Sequence, residues 1–138
     1  MKCSGLRAFM LAVAALTVSG TPAGAQSGVR EVSATERGVI PLQTRLRYTT
    51  MVVLPDGEEI LDVLCGDRDF WVISATHNIA HVKPAKAGAE TNLNLVTARG
   101  TIYSFLLSEK SGAPGAQVAP DLKVYVTADP ARPVGRQK

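Results

Sequence analysis

The chain has 138 residues, 20% of them charged and 46% hydrophobic, which excludes wholesale disorder and allows one ordinary domain. Aromatic residues make up 5%, too few for a base-stacking platform, and two cysteines exclude a disulfide-dense miniature fold. The 15 basic and 12 acidic residues give a net charge of +3, which would invite a nucleic-acid reading if it lay in the folded part.

It does not. Residues 1–25 have the three parts of a secretory signal peptide. Lys2 and Arg7 make the positive start, Ala8 to Val18 is an uncharged run of 11 residues, and Ala23-Gly24-Ala25 is a small-residue cleavage site before Gln26. The run is short of the roughly 20 residues that cross a bilayer. Cys3 precedes the run, so it is not the lipidated cysteine of a lipoprotein. Cleavage would leave 113 residues, 13 basic and 12 acidic, with Cys65 as the only cysteine and no internal disulfide. Residues 129–138 hold Arg132, Arg136 and Lys138, two prolines and nothing to bury, and are expected to be a disordered basic tail. Between the two ends, residues 26–128 carry 10 basic and 11 acidic side chains. Weak, salt-sensitive nucleic-acid binding is then conceivable for the tail but not expected of the folded domain.

Residues 26–44 are polar and mixed, and read as a leader strand or flexible N-terminal arm. From Arg45 the period becomes two, and Arg45 to Leu54 reads as a strand, with Leu46, Tyr48, Thr50, Val52 and Leu54 on one face and Arg45 and Arg47 on the other. Pro55-Asp56-Gly57 is a turn, and Glu58 to Cys65 reads as the return strand of a hairpin closed by Gly66-Asp67. Phe70 to Ala75 and Ile79 to Lys83 flank a turn at His77-Asn78. Thr91 to Thr97 and Thr101 to Ser108 flank a turn at Arg99-Gly100, and Leu122 to Thr127 is the last strand. Residues 84–90 and 109–121 are loops. About seven short strands at regular spacing, with no helical period, predict an all-β fold, an antiparallel β-sandwich spanning residues 45–128.

Chemistry-bearing residues are sparse. His77 and His81 lie four apart on a strand–turn–strand, without a second ligand pair, and read as solvated or turn histidines. Glu58, Glu59, Asp62, Asp67 and Asp69 read as a solvated edge and turn, because neighbouring strand positions face opposite ways. No nucleophile elbow and no phosphate-binding glycine loop are present. Cys65 reads as a small buried hydrophobe. No catalytic residue, metal or cofactor is assigned. The residues singled out for interaction are Trp71, a core residue or interface anchor; Arg45 and Arg47, able to meet an acidic partner; and Thr91 and Asn92, able to cap a turn.

An ordered set of short motifs then carries a resemblance. Thr49-Thr50, Leu54-Pro55, Gly57-Glu58 and Ile60 are followed by Gly66-Asp67 and Trp71, by Lys83-Pro84, by Thr91-Asn92-Leu93 with Val96-Thr97, and by Tyr103, Phe105 and Leu107. Over residues 45–108 this resembles the N-terminal domain of the TrbG/CagX family, conjugal-transfer proteins of type IV secretion systems. The resemblance implies a periplasmic β-sandwich in a ring-shaped outer-membrane core complex, with a small lipoprotein and an inner-membrane-anchored channel protein as partners and no enzymatic activity. Family members continue into a second β-rich domain, so the sequence reads either as a stand-alone N-terminal domain or as a truncated product. The competing readings are a periplasmic β-domain of a pilus or secretin system, and a secreted enzyme or ligand-binding module.

Overall fold

The computed structural model describes residues 28–112 and 119–128. The expected signal peptide and basic tail lie outside them. Nine strands follow one another: β1 (Val29–Ala34), β2 (Val39–Thr44), β3 (Thr50–Val53), β4 (Ile60–Cys65), β5 (Trp71–Thr76), β6 (Ile79–Pro84), β7 (Glu90–Thr97), β8 (Ile102–Glu109) and β9 (Lys123–Ala128). The described residues contain no helix. The strands form a five-stranded sheet in the order β1-β9-β3-β6-β5 and a four-stranded sheet in the order β2-β8-β7-β4.

Alternation explains the core between the sheets. In β7, Leu93, Leu95 and Thr97 point inward; in β8, Tyr103, Phe105, Leu107 and Glu109 do so; β3 adds Thr50 and Val52, β6 adds Ala80 and Val82, and β9 adds Val124 and Val126. Phe105, Leu93, Leu95, Leu107, Val52, Val82 and Val124 have no exposed surface. Burial of such side chains contributes on the order of 1.5–3 kcal/mol each.

The all-β sandwich stands as expected, and four details differ. First, residues 26–44 are not only an arm. They hold β1 and β2, which place Ala34, Ile40 and Leu42 in the core. Pro41 obscures β2 in the sequence, yet β2 is an edge strand, where a residue without an N–H is tolerated. Second, the sheets are mixed: β1 pairs β9, β9 pairs β3 and β2 pairs β8 in parallel. Third, Arg45 to Tyr48 is a turn, not the start of a strand. Tyr48 N–H donates to Arg45 C=O at 3.1 Å, and Arg47 is held at φ 72°. Arg45 and Arg47 therefore do not share a strand face.

Fourth, Pro55-Asp56-Gly57 turns the chain as expected, with Glu58 N–H on Pro55 C=O and Gly57 at φ 84°. It joins strands of opposite sheets, so β3 and β4 are not a hairpin. The His77-Asn78 turn decides this. Leu54 N–H donates to Asn78 C=O and Ile60 N–H to His77 C=O, both at 2.8 Å, so the ends of β3 and β4 share one turn instead of pairing.

Candidate interaction surfaces

The buried carboxylates are drawn into internal clasps. Asp121, 9% exposed, accepts from Arg30 through both oxygens, at 2.7 and 3.0 Å, and from Gln43 N–H at 2.8 Å. Its own N–H donates to Gln43 C=O, and its C=O accepts from the Thr50 hydroxyl. One residue thus ties β1, β2 and β3 to the start of β9.

Glu109, 3% exposed, accepts from the backbone N–H groups of Gly88, Ser111 and Leu46 at 2.7, 2.9 and 3.0 Å. Burial works to raise its pKa. The Ser111 side chain and the backbone donors of Gly88, Ser111 and Leu46 outweigh burial and bring it down to about 2. Tyr103, 3% exposed, shares a hydrogen bond with the Glu58 carboxylate. Burial first, then the Glu58 charge and hydrogen bond, push the phenol up to about 12 against the opposing Arg99 cation.

The sequence pattern places Glu58 on a solvated edge and Glu109 and Asp121 in a loop, whereas the fold gives all three internal partners. A buried acid at the end of an alternating strand, such as Glu109 following Tyr103, Phe105 and Leu107 on the same face, is the one signal that was there to find.

The residues singled out for interaction go to different places. Trp71 is 3% exposed and belongs to the core. Its Nε1 is buried without a partner among the described residues. Trp71 also lines a groove of about 420 Å³ with Val63, Cys65, Arg68, Val72 and Ile73, between the edge strands β4 and β5. Arg45 is half-buried in the turn before β3, and Arg47 is exposed there.

Thr91 and Asn92 open β7 against Gly66: Gly66 N–H donates to Asn92 C=O at 3.1 Å. A Cβ on Gly66 would lie 2.5 Å from Asn92 Oδ1 and 2.8 Å from Thr91 Oγ1. Two of the sequence motifs, Gly66-Asp67 and Thr91-Asn92, are therefore one packing contact.

His77 supplies the turn carbonyl already described, at φ 54°. His81 sits on the outer face of β6, opposite Met51 of β3 and Ser74 of β5. Among the described residues no group of three His, Cys, Asp or Glu side chains is placed to hold a metal. Cys65 is a free, half-buried thiol packed against the core, its Sγ 3.5 Å from Asp67 C=O. Asp62 and Asp67 accept from Val63 and Asp69 N–H, which uses them locally as strand and turn acids.

What remains open is a sheet face. On the outside of the four-stranded sheet, the register sets Val39, Ser104, Asn94 and Leu64 in one row and Pro41, Leu106 and Asn92 in the next. Val39, Leu64, Ile102 and Leu106 are 60%, 47%, 56% and 48% exposed. The Ser104 hydroxyl and Asn94 carboxamide bond to each other at 2.7 Å, so the middle of this face carries no charge.

These features define a β-sandwich module that spends its buried carboxylates on its own clasps and presents apolar sheet surface outward. The chain belongs to the CagX family of conjugal transfer proteins, whose family model matches residues 27–133. The match takes in β1, β2 and β9 as well as the 45–108 core that carries the motifs. No curated protein matches the chain.

Proposed function

We propose that the chain is a non-catalytic structural subunit of a conjugal DNA-transfer, type IV secretion apparatus, exported by its N-terminal signal sequence and built into the outer-membrane core complex from the periplasmic side. The family match over residues 27–133 carries this reading. The exposed apolar side chains around the uncharged middle of the outer face of the four-stranded sheet support it, because surface of this kind suits protein contact. In this reading the partners are other core-complex subunits, a small lipoprotein and an inner-membrane-anchored channel protein, and copies of the chain assemble as a ring. No cofactor takes part.

The test is co-purification from envelope fractions, comparing the natural chain with Ile102→Lys and Leu106→Lys. These substitutions lie on an exposed face and leave the core intact. Recovery of secretion subunits with the natural chain, and their loss with the folded variants, supports the reading. A natural chain recovered as a monomer without any such subunit overturns it.

A further inference from the structure

We propose that residues 28–44 are an exchangeable arm: the β1–β2 unit can leave its own body at the Arg45–Thr49 link and occupy the same place on a second copy of this chain. The inference stands on the fold and does not depend on the proposed function.

The first observation is where the arm sits. β1 and β2 are edge strands, one in each sheet, and each pairs in parallel with a single strand from the far end of the described chain, β9 and β8. The polar contacts follow the same rule. Arg30 and Gln43 meet Asp121, the Thr44 hydroxyl donates to Ser108 C=O, and Leu122 and Lys123 N–H donate to Gly28 C=O. None of these contacts is made to the residues that follow the arm directly. A second copy supplies every one of them unchanged, as strand exchange requires.

The second observation is the link. The alternation over Arg45 to Leu54 favours one extended strand, with Leu46, Tyr48, Thr50, Val52 and Leu54 on one face. The closed chain instead bends at 45–48 and holds Arg47 at φ 72°, a left-handed conformation that an arginine adopts at a cost. Tyr48, placed by the pattern on the inward face, is 47% exposed. Local preference and closed geometry disagree at this one link, and a short link under strain favours exchange. Extended, the five residues 45–49 span about 16 Å, enough to carry β2 away from its own β3. Leu46 N–H on Glu109 and Tyr48 N–H on Arg45 C=O hold the closed form.

The register supplies the assay. Ser33 of β1 faces Thr127 of β9. Two full chains, both Cys3→Ser and Cys65→Ser, are made with different tags, one Ser33→Cys and the other Thr127→Cys. They are refolded together at high concentration and oxidised. Exchange gives a disulfide heterodimer, whereas pairing Ser33→Cys with Thr76→Cys, on the opposite edge strand, gives none. Arg47→Gly, which accepts the closed turn without strain, lowers the dimerisation constant roughly ten-fold. Arg47→Pro, which cannot adopt it, raises the dimer yield. If Arg47→Pro does not fold, the glycine variant carries the comparison. A heterodimer that is absent, equally abundant with the Thr76→Cys control, or indifferent to Arg47→Gly overturns the proposal.

Discussion

Arg30 and Asp121 stand 91 positions apart and form a bidentate ion pair that joins β1 to the segment leading into β9. The arginine is partly exposed, and the aspartate is buried against Gln43 N–H. The two partners are therefore unequal. Asp121→Ala strands a guanidinium and a backbone donor, and is expected to cost about 2–3 kcal/mol. Arg30→Met removes the half-exposed partner, leaves Gln43 N–H satisfied, and is expected to cost about 1 kcal/mol. Urea unfolding midpoints of the two variants test the order. Equal losses would mean that the Gln43 contact contributes nothing.

Glu109 predicts a defined acid limb. Its folded pKa of about 2 lies below its ordinary 4.5. Its contribution is fully present above pH 4.5 and is lost as pH falls toward 2, because the unfolded chain takes up the proton first. Glu109→Gln keeps the shape but turns an amide nitrogen toward backbone donors, and is expected to cost about 2 kcal/mol at neutral pH. The variant should also lose less stability between pH 4.5 and 2 than the natural protein. Thermal melts across that range provide the measurement.

The contact between Gly66 and the Thr91-Asn92 pair predicts coupling. A methyl group at Gly66 displaces the Asn92 carboxamide and the Thr91 hydroxyl, so Gly66→Ala is expected to cost about 1 kcal/mol. In an Asn92→Ala background the closest obstacle is gone and the cost should fall by more than half. A double-mutant cycle measures this, and simple additivity would show that the two motifs are independent.

Trp71 separates packing from hydrogen bonding. Its indole N–H has no partner among the described residues, so Trp71→Phe removes an orphaned donor together with some volume and is expected to cost below about 1.5 kcal/mol. Trp71→Ala opens the core and should cost about 3–5 kcal/mol. Comparable losses in the two variants would reveal a partner for Nε1.

The strands that pair with their sequence neighbours were legible without coordinates. β5–β6 and β7–β8 are hairpins whose turns and inward faces follow from residues a few positions apart, and the resemblance resting on their motifs pointed to the right family. The candidate residues were less legible. Trp71 takes the core place that the first of its two readings gives it, whereas Arg45 and Arg47, read on a strand face, fall in a turn.

By itself, the sequence determined the all-β class, the alternation that buries Leu93, Leu95, Phe105 and Leu107, and the near-neutral middle of the chain, because these depend on composition and on a period of two. Only the tertiary structure decided that β1 runs parallel to β9 and β2 to β8, that β3 and β4 belong to different sheets, and that Asp121 and Glu109 are buried. Each of those outcomes depends on hydrogen bonds between distant segments. Local propensity carries no information about such partners, and at Arg45–Tyr48 it points the opposite way.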